Sequence, residues 1–140
     1  MKISVRYYSR SGNTEKVAQA IAQALGVAAI PIGNEPAATD EEADILFIGA
    51  AAYAFGIDES VKAFLGSLDK AKIQKIALFS TSAIVKSLHP HIKKALAGNG
   101  IPLAEKEFHC WGEFKFTRKG HPNSADLANA KAFAQEFLGN

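Results

Sequence analysis

Residues 9 to 14 read Ser-Arg-Ser-Gly-Asn-Thr. Three hydroxyls, a carboxamide and a run of backbone N–H groups crowd into this stretch, and Gly12 can take backbone angles that other residues avoid. Apart from Arg10 the stretch carries dipoles and no formal charge, so its natural ligand is an anion held by N–H and O–H donors, such as a phosphate. A P-loop requires GxxxxGK[ST], and here Gly12 is followed by Asn13 and Thr14 with no lysine after a second glycine. The dinucleotide fingerprint GxGxxG is absent too, because Gly12 is the only glycine among the first 25 residues. By local rules alone the stretch reads equally as a phosphate cradle and as a generous helix cap.

Three later stretches hold the other residues capable of chemistry or of gripping a ligand. "GAAAYAFGIDES" (49–60) sets small Ala50, Ala51 and Ala52 beside the aromatics Tyr53 and Phe55, which either meet a flat ligand or pack on the following helix. "FSTSAIVKS" (79–87) offers the hydroxyls of Ser80, Thr81 and Ser82. "HCWGEF" (109–114) contains Trp111, the only tryptophan, then Gly112 and Phe114; Trp111 reads equally as a site cover and as a core anchor. Cys110, the single cysteine, excludes an internal disulfide and, with no resolving partner in view, reads as a small buried apolar residue. His89, His91, His109 and His121 show no metal-ligand spacing, and no metal is expected.

These stretches must be positioned by regular elements, and the chain alternates strand-like with helix-like segments. Residues 3–9, 27–32, 44–50, 75–82 and 103–111 read as strands. Pro31 favours an edge position for the second, and the continuous apolar runs of the third and fourth suggest burial on both faces. Helical stripes run through Val17, Ile21 and Leu25; Val61, Phe64, Leu65 and Leu68; Leu88, Ile92, Ala95 and Leu96; and Leu127, Ala130, Ala134, Phe137 and Leu138. Gly26 stands where a left-handed C-cap belongs, and Asp58 or Ser60, Ser87, and Asn123 or Ser124 fit as N-caps. Residues 33–43 read as loop. The order β-α-β-β-α-β-α-β-α predicts a three-layer, doubly wound α/β fold with a parallel sheet. Ligands of such sheets bind beyond the carboxyl ends of the strands, which is where all four stretches above fall.

A chain of 140 residues, 48% hydrophobic and 21% charged, fits one globular domain spanning 1–140. No apolar run approaches a membrane span, and the start is a poor signal peptide, so a cytoplasmic protein without membrane insertion is expected. The net charge of +2 gives no reason to expect nucleic acid, although residues 1–70 carry 6 basic against 9 acidic side chains and residues 71–140 carry 10 against 5. Lys86, Lys93, Lys94, Lys115, Arg118 and Lys119 make up much of that basic excess, read either as a solvated face or as a docking patch.

"SRSGNTEKVAQAIA" resembles the phosphate-binding signature of the flavodoxin family, a Ser/Thr-x-Ser/Thr-Gly-x-Thr loop between the first strand and first helix. The likeness extends over the whole chain, in length (the short-chain form) and in β/α order. It implies a flavodoxin-like five-stranded parallel sheet of order 2-1-3-4-5 and FMN as cofactor. Carried over residue by residue, Ser9, Ser11, Gly12, Asn13 and Thr14 match the positions that hold the FMN phosphate, with Arg10 at the variable position. In the second loop Ala52, Tyr53, Phe55 and Gly56 would meet the flavin ring, Tyr53 by stacking and Gly56 as the flexible peptide near N5. Thr81 and Ser82 would pass its pyrimidine edge, with Ala83 contributing backbone only, and Trp111 with Gly112 would cover the open face. The loop after strand four departs from the aromatic- and acid-rich loop of many electron-carrier flavodoxins.

The function this resemblance implies is electron transfer between redox partners, by a monomer or weak dimer that needs no catalytic residue of its own because the cofactor carries the chemistry. Flavodoxin carriers are typically acidic, whereas this chain has a sequence pI near 8.7. That keeps open a small FMN-dependent reductase of a quinone or other small acceptor, or a carrier paired with an acidic partner. A flavin-free binding or regulatory domain is the further alternative. A phospho-acceptor receiver domain would need acids after the first and third strands, where Ser9, Arg10, Gly49 and Ala50 stand.

Overall fold

The computed structural model of the chain describes residues 1–51, 56–82, 87–113 and 118–138. Strands β1 (Ile3–Tyr7), β2 (Ala29–Pro31), β3 (Ala43–Ala51), β4 (Ile73–Ser82) and β5 (Phe108–Trp111) form one sheet of order β2-β1-β3-β4-β5. Every pairing is parallel. Among the described residues the helices are α1 (Asn13–Leu25), α2 (Glu59–Gly66), α3 (His89–Ala95) and α4 (Ser124–Glu136), with a 3₁₀ turn at Ala38–Asp40. The order and the edge position of β2 agree with the sequence expectation.

The unbroken apolar runs of β3 and β4 follow from burial on both faces. Leu46, Ile48, Ile76 and Leu78 pack with Val61, Leu65 and Ile92 of α2 and α3. Phe47, Ala77 and Phe79 pack on the other face with Val17, Ile21, Ala130 and Phe133 of α1 and α4. Phe47 meets Phe133 and Phe137 edge-on, with ring centroids 6.2 and 5.3 Å apart. Phe133 therefore belongs to the buried stripe of α4, while Leu138, expected there, is 45% exposed. Gly49 answers a close approach between strands: a Cβ there would fall 2.0 Å from Cε2 of the fully buried Phe79. Gly49→Ala is expected to lower stability by about 1–3 kcal/mol, as overpacking of a closed core does, read as a lower denaturant midpoint at unchanged slope.

Three strands are shorter than expected, and β2 keeps only Ala29–Pro31 of the expected 27–32. β5 begins at Phe108 instead of 103; Leu103 makes only an isolated bridge to Ile76, and the exposed Glu105 and Lys106 lead the chain away before pairing resumes. β1 ends at Tyr7, although Tyr8 N–H still donates to the Gly49 carbonyl at 3.0 Å. The caps follow their chemistry. Asp58 accepts from Ser60 N–H, Asn123 forms a reciprocal capping box with Asp126, and Gly26 sits at φ 73. For α3 the N-cap is Leu88, and Ser87 Oγ, expected as the cap, accepts from His89 N–H at 3.2 Å instead.

Residues 33–43, read as plain loop, are organised by a buried charge. Arg6, on β1, is 1% exposed and donates to the carbonyls of Ile30, Pro31, Asn34 and Pro36 and to Glu41 Oε1 at 2.7 Å. Its guanidinium also lies 4.8 Å from the Phe64 ring centroid. One side chain thus takes two carbonyls of the edge strand β2 and two of the segment that follows it.

Candidate functional site

The chain turns from β1 to β2 on one side and to β3 on the other, so the sheet's switch point lies between β1 and β3. The loop 8–12 leaves the sheet there and leads directly into α1. Gly12 occupies the N-cap position at φ 91, with open space where a Cβ would be. No side chain caps this helix, unlike α2 and α4, so its first N–H groups face the loop with the helix dipole behind them. Ser9 Oγ accepts from Gly12 N–H at 3.0 Å and folds the loop back on itself. Thr14 is buried, and its hydroxyl meets that of Thr81 at 2.8 Å, joining the start of α1 to the end of β4.

Arg10 turns aside to Asp58, Nη2 to Oδ2 2.9 Å, at the N-cap of α2. The hydrogen bonds from Ser60, and then the Arg10 guanidinium, hold the Asp58 carboxyl down at about 2. The exposed Ser11 stands at the tip of the loop. Asn13 reaches the other way, its Nδ2 donating to the Glu113 carbonyl at 2.9 Å, and Gly112 N–H donates to the Ser82 carbonyl at 3.0 Å. The loops after β1, β4 and β5 are therefore bonded to one another at the carboxyl edge.

Ser82 Oγ and His109 Nε2 are 3.0 Å apart, and the His109 ring meets Trp111 edge-on at 4.9 Å. Trp111 is half-buried, with the Arg118 guanidinium 3.6 Å from its ring centroid, so one face of the indole is already covered. Arg118 itself stands at φ 57, in the left-handed region. Gly56 has φ 114, and a Cβ on it would sit 3.3 Å from His91 Nδ1. Ala52, Tyr53 and Phe55 of the second loop, with Ala83 and Phe114, lie outside the described residues. Glu113 and Arg118 complete the arrangement, yet no local spacing marks either, because each meets its partner through the fold.

Cys110 is buried on the α1/α4 side, and burial, with Asp126 nearby, pushes its thiol up to about 12. It is expected to ignore a thiol reagent at pH 8 in the folded protein and to react fully in denaturant, which a thiol titration reads directly. Among the described residues no group of three His, Cys, Asp or Glu could hold a metal ion, and no helix is long and apolar enough to cross a membrane. A groove of about 620 Å³ along α1 and α4, lined by Val27, Ala29 and Leu127 among others, contains none of the carboxyl-edge residues.

The arrangement is that of a doubly wound α/β domain with an uncapped helix start and an open glycine at its switch point. A family model described as a flavodoxin domain matches residues 4–115. The chain belongs to the flavodoxin family, and FMN is the cofactor of that family. It is 30% identical over 151 aligned residues, covering all of both chains, to a protein of Methanocaldococcus jannaschii described only as uncharacterized. Oxidised flavodoxin 1 from Bacillus cereus superposes with a TM-score of 0.75 at 20% identity, over 99% of this chain and 97% of that one. A flavodoxin from the domain Archaea gives 0.72 at 20% identity, over 97% and 95%. Rubredoxin oxygen:oxidoreductase from Desulfovibrio gigas contains the same fold in a third of its length, with a TM-score of 0.74 at 18% identity over 96% of this chain and 34% of that one. These likenesses establish the fold.

Proposed function

We propose that the chain, acting as one domain, binds FMN at the carboxyl edge of β1, β3, β4 and β5 and carries electrons between redox partners. The observation that carries this reading is the uncapped start of α1 at the switch point, with an open Gly12 at its N-cap and Ser9, Ser11 and Thr14 on the same short loop and first turn. These residues fit a phosphate by the chemistry of the donor set: dipoles and hydroxyls around an anion, backed by a helix N-terminus. When bound, FMN supplies the redox chemistry and the protein supplies position and electrostatics.

In this reading Ser9 shapes the loop by taking Gly12 N–H, and Ser11 and Thr14 donate to the phosphate beside the first N–H groups of α1. Thr81 and Ser82 present hydroxyl and backbone groups to the pyrimidine edge. Gly56 gives the second loop the conformational freedom its peptide needs, and Ala52, Tyr53 and Phe55 are the residues of that loop assigned to the ring on the family resemblance. Trp111, steadied by His109 and Arg118, excludes water from the edge of the site, with Gly112 beside it. Arg118 and Lys119, exposed next to Trp111, favour a partner or acceptor bearing negative charge at the point of contact.

The reading is tested by anaerobic reduction of the FMN-loaded protein. Two resolved one-electron steps, with no turnover of a nicotinamide when the protein is alone, are expected of a carrier. Direct oxidation of a nicotinamide with a quinone as acceptor would make the chain a self-contained reductase instead.

A further inference from the structure

The Asn13 carboxamide donates across 100 residues of sequence, Nδ2 to the Glu113 carbonyl at 2.9 Å. The receiving residues, Gly112 and Glu113, are themselves bonded to other parts of the chain. Gly112 N–H is tied to the Ser82 carbonyl at 3.0 Å, Glu113 N–H to the His121 carbonyl at 2.8 Å, and Gly120 N–H to Glu113 Oε1 at 2.9 Å. The fit is close as well as bonded. A Cβ on Gly112 would stand 2.9 Å from Asn13 Nδ2 and 3.3 Å from Asn13 Cβ and Cγ, so residue 112 must lack a side chain while Asn13 sits there. Trp111, next to Gly112, carries the Arg118 guanidinium 3.6 Å from its ring centroid.

We propose that Asn13 is a positioning residue: its side chain clasps the turn after β5 to the anion loop after β1, while its backbone N–H remains with the donors at the start of α1. Holding the two loops together sets the loop's donors in place before any ligand arrives, a preorganisation that lowers the cost of binding. The inference rests on the FMN reading only for the identity of the anion; the clasp belongs to the ligand-free protein.

Its test therefore uses the purified chain without flavin. In Asn13→Ala, amide exchange at Gly112 and Glu113 is expected to quicken about tenfold, the equivalent of one lost hydrogen bond, and Trp111 emission to shift. Gly112→Ala should lower stability in the native background and do so far less in the Asn13→Ala background, since the clash partner is gone; such non-additivity is the mark of direct contact. FMN affinity of Asn13→Ala should fall by a comparable factor. Unchanged exchange in the ligand-free variant, or additive effects of the two substitutions, would overturn the clasp. A chain that shows the coupling yet fails to bind FMN would sink the FMN reading alone.

Discussion

Arg6→Met is expected to destabilise the protein by about 5 kcal/mol, at the upper end of what breaking a buried ion pair costs. The substitution removes the donors to four carbonyls and leaves the buried Glu41 carboxylate without its cation. Methionine replaces most of the volume and none of the hydrogen bonds, so the loss is one of polar satisfaction. Glu41→Gln, by contrast, keeps an oxygen facing Arg6 Nη1 and should cost only about 1–2 kcal/mol, the scale of one charge-assisted bond weakened to a neutral one. A domain stable by about 5–15 kcal/mol would then unfold in part or survive with little margin in the first case and stay folded in the second. Denaturant titration of both variants reads the difference. Equal effects would mean that Glu41, and not the carbonyl cage, is the reason Arg6 is buried.

Thr14→Val is expected to weaken FMN binding about 10- to 100-fold, through loss of a hydroxyl donor to a charged phosphate, worth about 1.5–3 kcal/mol. The same substitution harms the fold, because it strands the buried Thr81 hydroxyl, at about 1–3 kcal/mol. The two consequences separate in the double variant Thr14→Val with Thr81→Val. Replacing both partners by apolar groups of the same shape should restore most of the stability, while FMN affinity stays low and below that of Thr81→Val alone, whose own pyrimidine-edge contact is the control. Recovery of affinity together with stability would show that Thr14 serves the phosphate loop only as a brace.

What could be read from the sequence divides along the range of the forces involved. The strands, the helices and their order came from periodicities a few residues long, and burial on both faces accounts for the apolar runs of β3 and β4. The loop at 9–14 was visible because its chemistry is local: small residues, hydroxyls and a glycine before an amphipathic helix. Arg6 was not, since a charged residue inside "ISVRYY" looks like the solvent side of an alternating strand, and its acceptors lie 24 to 35 residues away. The Asn13–Glu113 bond, across 100 residues, is further removed still, and the Arg118–Trp111 stack, though local in sequence, follows no helix or strand periodicity. Trp111 shows the limit well: its type suggested a cover for the ring, and only the fold reveals that Arg118 already occupies one face of it.

The central claim is that residues 9–14 hold the phosphate of FMN. Fluorescence titration of FMN with the flavin-free protein tests it most directly. The account predicts saturable quenching of the flavin emission, weakened in Thr14→Val and competed by excess inorganic phosphate. A folded native protein that leaves FMN fluorescence unchanged throughout the titration would contradict it.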